Sequence, residues 1–348
     1  MHGPVGEQAL KPVLARLADG ATLDRAEARA AFEAIMSGLI DPPQIAAFLM
    51  AMRVRGETVD EIAGGADVLR AKAATLTAPA GAVDTCGTGG SGHSTYNVST
   101  AAAIIAAACG VPVAKHGNRA ASSKSGSADV LEALGVELEL TPAAVEACLA
   151  ETGIGFLFAR QHHSAMRHVA PVRHSLGLRT IFNLLGPLSN PAGARRQVLG
   201  VYEARWLEPM TEVLKALGSE LVWVVHGSDG LDEITVTGPT EVAELRDGTI
   251  RRFTVRPEDV GLTSAPLDAL IGGDPAHNAA ALRDVLAGQH GAYRDIAVIN
   301  TAAALVVADK AAALKDGCAM AAEAIDDGRA TALLDRWVAT SRKVAADV

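Results

Sequence analysis

The 348-residue chain is short of the features that mark several protein classes. Its four cysteines, Cys86, Cys109, Cys148 and Cys318, lie far apart with no CxxC pair. That argues against a disulfide framework or a cysteine zinc site and suits free thiols in a reducing cytosol. Positive charge is scarce too: 31 Lys and Arg stand against 40 Asp and Glu, a net −9. Such a balance disfavours non-specific binding to nucleic acid or to an anionic membrane. Aromatic residues make up only 3% of the chain, too few for a stacking platform on single strands. The longest apolar run, Ala101 to Ala114, is Ala-rich and too short to span a bilayer. The N-terminus lacks a charged-then-apolar signal pattern, and there is no internal repeat, heptad run or low-complexity segment. The expectation is a soluble cytoplasmic protein with no membrane and no nucleic-acid partner.

What the chain does have is concentrated in loops. Lys115-His-Gly-Asn-Arg-Ala-Ala-Ser-Ser-Lys-Ser-Gly-Ser-Ala-Asp129 sits between an apolar strand-like run, Val111 to Ala114, and a helix-like one, Val130 to Leu134. A Gly/Ser loop between strand and helix start is a common phosphate cradle, because inward backbone N–H groups and the helix N-terminus both favour an anion. Lys115 and Arg119 can balance phosphate charge, as a point charge and a fork, with hydroxyls from Ser122, Ser123 and Ser127. Asn118 offers donor and acceptor to an uncharged part of a ligand. The competing reading is a solvated charged loop.

A second loop of this kind lies upstream, Asp84-Thr-Cys-Gly-Thr-Gly-Gly-Ser-Gly92. Gly87, Gly89, Gly90 and Gly92 permit close backbone approach, and Thr88, Ser91, Ser94 and Thr95 add hydroxyls. The spacing matches neither GxxxxGK[ST] nor GxGxxG, so neither a Walker nor a Rossmann site is supported; a ligand-free tight turn is the alternative. Asn97-Val98-Ser99-Thr100 follows at the head of a helix, where one side chain can cap and the others face a ligand or a hydrated metal. Two such loops suggest a ligand with more than one phosphate group. Asp232-Glu233, after the turn Gly227 to Gly230, is either a solvated acidic pair or a Mg2+ site completed by substrate phosphates. The stretch Arg160 to Arg173 is dense in His and Arg; an exposed basic helix, a carboxylate pocket and a nucleic-acid patch are the candidates, the last disfavoured because no aromatics are interleaved, and surface or capping roles are expected for His162, His163 and His168.

Helical grammar fills the first seventy or so residues. Asp24 to Met36 places Ala28, Ala31, Phe32 and Ile35 on one face. Asp41-Pro-Pro-Gln44 and Thr58-Val-Asp-Glu61 read as capping boxes opening two more helices, the first ending near Gly56. Ala73 to Ala82 reads as a linker. Beyond it, strand candidates at Ala82–Val83, Val111–Val113, Val198–Val201 and Leu221–Val225 alternate with helices, which predicts an α/β sheet covered on both faces. Asp247-Gly248 predicts an edge hairpin within Glu241 to Val255, and the tail from Arg294 reads as Ala-rich helices.

Taken together these pieces resemble the anthranilate phosphoribosyltransferase family of the nucleoside-phosphorylase-like, class III phosphoribosyltransferases. The matching segments are Asp84 to Gly92, Asn97 to Thr100, Lys115 to Arg119 with Ser122-Ser123, Val169-Ala-Pro-Val-Arg173, Asn183-Leu-Leu-Gly-Pro187 with Asn190-Pro191, and Asp232-Glu233. They occur in the family's order over nearly the whole chain, and Ser91 stands where many members carry Asp. The resemblance implies an α/β fold class in two parts. A small N-terminal helical domain covers 1–75, completed by part of 165–190, and a larger α/β domain with a central, mostly parallel sheet flanked by helices covers 76–348. The two meet at a hinge around the active site, and a homodimer forms through the helical domain. It implies transfer of a phosphoribosyl group from phosphoribosyl diphosphate to the amine of anthranilate, with Mg2+ as cofactor. By the same resemblance the donor would contact Gly87, Gly90, Ser91, Thr95, Asn97, Val98, Ser99, Thr100, Lys115, His116, Gly117, Asn118, Arg119, Ala120, Ala121, Ser122, Ser123 and Ser127. Mg2+ would sit on Ser99, Asp232 and Glu233. Anthranilate would meet Gly87, Asn118 and Arg173, with Arg173 on its carboxylate. Lys115, Arg119 and His116 are the catalytic candidates, His116 either taking up a proton or packing against the acceptor ring. A pyrimidine nucleoside phosphorylase shares the Lys-His-Gly signature but would carry a more glycine-rich continuation and has no need of the Asp-Glu pair.

Overall fold

The computed structural model describes residues 10–90, 92–120 and 123–346. Four helices open the chain: α1 (Lys11–Ala18), α2 (Arg25–Met36), α3 (Pro42–Arg55) and α4 (Val59–Lys72). Ala28, Ala31, Phe32 and Ile35 form the buried face of α2, as their spacing predicts. The Thr58–Glu61 capping box at α4 is formed, whereas Asp41 makes no side-chain cap at α3, where two prolines leave fewer N–H groups to satisfy. Glu61 is fully buried yet satisfied: it caps α4, accepts from Leu23 N at 2.9 Å and pairs with Arg55. Removing one partner of such a buried pair costs about 3–5 kcal/mol, so this contact fixes how α2, α3 and α4 meet.

After an unstructured stretch come β1 (Val83–Gly87), α5 (Val98–Ala108), β2 (Val113–Gly117), α6 (Ser127–Leu134), α7 (Pro142–Thr152) and β3 (Ile154–Phe158). Then follow the short helices α8 (Ala170–Leu176) and α9 (Ile181–Leu185), β4 (Arg196–Gly200), α10 (Leu207–Ala216), β5 (Leu221–Gly227), β6 (Thr240–Arg246) and β7 (Thr249–Val255). Four helices close the chain, α11 (Pro275–Leu286), α12 (Ala292–Val307), α13 (Leu314–Asp326) and α14 (Arg329–Ala346). The strands form one sheet in the order β3-β2-β1-β4-β5-β6-β7, parallel through β5 and antiparallel thereafter. Asp247 and Gly248 both take positive φ in the two-residue turn between β6 and β7, as a hairpin of that sequence requires.

Period-2 alternation divides the sheet between two cores. Val198, Trp223 and Val225 face the helices α5, α12, α13 and α14; Leu199, Val222 and Val224 face the other way. That second face is continuous with the core of α2, α3 and α4, and α9 joins it, with the Phe182 ring 5.8 Å from Phe32 and edge-on to it. From β1 the chain winds outward through β2 and β3, then returns to β1's other flank with β4 and β5. The β1–β4 junction is therefore the point where strand order reverses, and ligands of open α/β sheets bind at the carboxyl ends there. No described helix is long and apolar enough to cross a membrane.

Candidate active site

Three strand ends meet at that junction. Lys115 and His116 belong to β2 and not to the following loop, because pairing with β3 carries the strand to Gly117. β3 itself, Ile154-Gly-Phe-Leu-Phe158, is a short apolar run entered from Gly153, a signal present in the sequence but too brief to separate from helix. In β2 the Lys115 side chain is buried, and its ammonium donates to Thr85 O and to Ser99 Oγ, the latter at 3.2 Å. Burial pulls this amine below its ordinary range, and the charges of Asp84, Cys86 and Glu233 oppose that. Asp84 is buried as well and accepts from His116 N at 3.0 Å and Asn190 Nδ2 at 2.8 Å, so the bases of both loops share one carboxylate.

Asp232 and Glu233 reach the same place. Asp232 Oδ2 accepts Gly89 N–H at 2.8 Å, and Glu233 Oε1 accepts Ser99 N–H at 3.2 Å. The approach needs glycine. A Cβ at Gly87 would lie 2.3 Å from Asp232 Oδ2, and one at Gly200 would lie 1.7 Å from the Asp232 carbonyl oxygen. Burial pushes both carboxyls up; at Glu233 the neighbouring Asp232 adds to the rise, and Lys115 and the Ser99 N–H oppose it. Two adjacent carboxylates raised in this way, beside a hydroxyl, suit a hydrated divalent cation that also binds substrate phosphate. Among the described residues no cluster of three His, Cys, Asp or Glu side chains offers a protein-only metal cage.

The two loops touch each other through Asn97. It does not cap α5; its Nδ2 donates to Ser125 O at 3.2 Å, and its Oδ1 accepts from Ser125 Oγ at 3.3 Å and from Asn278 Nδ2 at 2.9 Å. Asn278, on α11, is buried and carries no local signal in the sequence. Thr95 forms a bridge to Ile271, and Tyr96 stacks on Tyr293 at 4.3 Å, which backs this segment from behind. Val98 and Thr100 face the core, Ser99 faces the cleft, and the Ser127 hydroxyl donates to Asn118 O at 3.2 Å. Asn118 and Ser123 are exposed at the loop rim, Gly117 and Ala120 are half-buried, and Ser91, Ala121 and Ser122 lie outside the described residues.

Arg119 departs from expectation. Its guanidinium donates to Asp129 at 3.0 Å and to both Glu132 oxygens at 2.8 and 2.9 Å, and it lies over Phe158. Its charge is committed to two carboxylates on α6. Arg173 behaves in the opposite way. It is half-buried over the Phe182 ring at 5.5 Å, forms no ion pair among the described residues, and burial lowers its basicity. A desolvated, unpaired guanidinium is suited to an incoming carboxylate.

His162 and His163 are buried rather than on the surface. The chain turns inward after β3, His162 Nδ1 pairs with Ala74 O at 2.6 Å, and His163 meets the His116 ring edge-on at 5.2 Å. His116 Nε2 is buried without a hydrogen-bond partner, and burial, then the neighbouring His163, His162 and Lys115, hold its pKa well below the ordinary value. Burial therefore favours its neutral form. Arg179, which escaped the sequence reading because it follows the dense stretch that ends at Arg173, lies over the Tyr202 ring at 4.5 Å and donates to Gly90 O.

Comparison with known proteins agrees with this arrangement. Residues 79–331 match the glycosyl transferase family a/b domain, and residues 11–73 match the helical bundle domain of the same family. The anthranilate phosphoribosyltransferase of Parvibaculum lavamentivorans is 60% identical over 331 residues, covering 95% of this chain and 97% of its own. The Thermus thermophilus anthranilate phosphoribosyltransferase superposes with a TM-score of 0.90 at 47% identity, over 94% of this chain and 99% of its own. Structures of the Saccharomyces cerevisiae enzyme, one with phosphoribosyl diphosphate and Mg and one with 4-fluoroanthranilate, superpose with TM-scores of 0.88 at 28% and 26% identity. Each covers 97% of this chain and 99% of its own.

Proposed function

The chain belongs to the anthranilate phosphoribosyltransferases of the glycosyl transferase family, and from that premise we infer which of its residues carry the reaction. The protein transfers the 5-phosphoribosyl group of phosphoribosyl diphosphate to the amine of anthranilate and releases diphosphate, a step of tryptophan biosynthesis. The observation that carries the residue assignment is the convergence of Lys115, the Asp232–Glu233 pair and two Gly/Ser loops at one strand-order reversal.

In the transfer the C1–O bond to diphosphate breaks, the C1–N bond to the aromatic amine forms, and the amine loses one proton. Charge builds negative on the leaving group and positive on the sugar ring, so the protein's task is to stabilise a departing anion in a fixed position. Lys115 and the backbone N–H groups of both loops, with Thr95, Asn97, Ser99, Ser123 and Ser127, supply donors for the phosphates. By the family resemblance Ser91, Ala121 and Ser122 are assigned to the donor as well, and they lie outside the described residues. Ser99, Asp232 and Glu233 would hold Mg2+, which supplies charge neutralisation on the diphosphate. Arg119 acts by bracing its loop. Arg173 holds the anthranilate carboxylate, and Gly87 and Asn118 border the acceptor. An aromatic amine is neutral near pH 7, so no strong base is needed, and a neutral His116 either accepts the proton that is lost or packs against the acceptor ring.

The test is loss of anthranilate fluorescence with phosphoribosyl diphosphate and Mg2+, run beside thymidine plus phosphate. Turnover only in the second mixture would overturn the reading. Arg173→Ala should raise KM for anthranilate about 10- to 100-fold with little change in KM for the donor; unchanged anthranilate kinetics would remove Arg173 from the acceptor site. We further propose a homodimer through the helical domain, completed by α8 and α9, which leaves Leu39 and Val54 exposed at 56% and 80%. Val54→Asp should then shift the species seen by light scattering from dimer to monomer. The four free thiols suit a cytoplasmic setting.

A further inference from the structure

We propose that Arg179 is a positioning residue that couples the acceptor side of the cleft to the donor-binding glycine loop, an inference that rests on the transfer reaction above. Arg179 lies between α8 and α9, six positions after Arg173 and three before Phe182, whose ring is packed in the core of the helical domain. Its own side chain leaves that domain. The guanidinium lies over Tyr202 at 4.5 Å, beyond the end of β4, and donates to the carbonyl of Gly90 in the loop after β1. Among the described residues it forms no ion pair.

The loop needs such a clamp. Gly89 and Gly90 both take positive φ, at 66° and 84°, and glycines lose the most conformational freedom when fixed. A Cβ at Gly90 would meet Arg179 Nε at 2.8 Å, so the contact is made on bare backbone. With the Gly90 carbonyl held by Arg179 and the Gly89 N–H held by Asp232, the peptide between them has one orientation before any ligand arrives. A preordered loop binds the donor without an added ordering cost. Because Arg173 and Arg179 share one short segment, an acceptor carboxylate drawn to Arg173 also fixes the clamp. Donor and acceptor then bind with positive coupling, and the coupling is reciprocal.

The experiment measures calorimetric affinity for phosphoribosyl diphosphate with Mg2+, with and without anthranilate under non-turnover conditions at low temperature, together with KM and kcat. Arg179→Ala should weaken donor affinity about tenfold, the scale of one charge-assisted hydrogen bond. It should also abolish the tightening of donor binding by anthranilate and, by reciprocity, weaken anthranilate binding at saturating donor by the same factor, while leaving anthranilate affinity without donor near the wild-type value. Arg179→Lys should recover part of both effects. Tyr202→Leu, which removes the ring beneath the guanidinium, serves if the alanine variant fails to fold and should reproduce the loss of coupling. Donor affinity and coupling equal to wild type in these variants would overturn the inference and leave the proposed function intact. A wild-type protein that binds no donor would overturn both.

Discussion

The two Gly/Ser loops differ in composition, with four glycines and no Lys or Arg in Asp84 to Gly92 against two glycines and three such cations in Lys115 to Asp129, and they are braced in different ways. The loop after β2 returns directly into α6, and Asp129 in the first turn of that helix accepts Ala120 N–H and Gly126 N–H, each at 2.9 Å, and Arg119 at 3.0 Å. Most of its bracing is therefore local, with Asn97 as a more distant partner of Ser125 at 3.2 and 3.3 Å. The loop after β1 is braced from far away: Asp232 holds Gly89, Arg179 holds Gly90, and the Gly200 carbonyl accepts Thr88 N–H at 2.9 Å. The loop after β2 thus carries its own carboxylate brace, whereas the loop after β1 depends on three segments distant in sequence.

Lys115→Ala tests the cradle at the point both loops share and should have the largest effect. Loss of the buried ammonium that we propose stabilises the departing anion should lower kcat/KM about 10³-fold, measured with both substrates varied. A loss of less than tenfold would show that the loop N–H groups suffice without it. The next test separates the loops. Asp129→Ala strands donors in the self-braced loop and should cost about 1–3 kcal/mol of stability, read from urea midpoints, together with donor affinity. Asn278→Ala, which removes the peg on Asn97 from outside, should cost less stability and act mainly on donor KM. Equal stability losses in the two variants would erase the distinction between local and distant bracing.

The smallest effect concerns pH. Glu233 is raised by burial and by Asp232. A carboxyl whose folded pKa is raised keeps its proton longer in the folded state, so its favourable contribution is complete below the ordinary carboxylate range. It declines as pH rises toward the raised value. Metal-free protein should therefore lose stability across that window, and Glu233→Gln should flatten the decline and raise the metal-free Tm near neutral pH by a few degrees (about 2–4 °C). The same variant should lose the stabilisation conferred by Mg2+ with diphosphate. A variant with wild-type pH dependence would mean that Glu233 is not the titrating group.

Where physics is local, residue order was enough. The α2 face, the Thr58–Glu61 box and the Asp247-Gly248 hairpin all follow from patterns within a few residues, because capping, turn chemistry and helical period act over that range. Sequence also separated the helical segment from the α/β segment and singled out Lys115, Arg173 and the Asp232–Glu233 pair. What it left undecided was the state of each charge. Arg119 and Arg173 are the same residue type in similarly basic stretches, yet one is neutralised by Asp129 and Glu132 while the other stands desolvated and unpaired over Phe182. His163 and Arg179 took their places, and Asn278 its peg on Asn97, only when strands, loops and short helices distant in the chain were brought together. Ion pairing, burial and hydrogen-bond satisfaction depend on neighbours in space, and those neighbours are fixed by the order in which β1, β2 and β4 lie side by side.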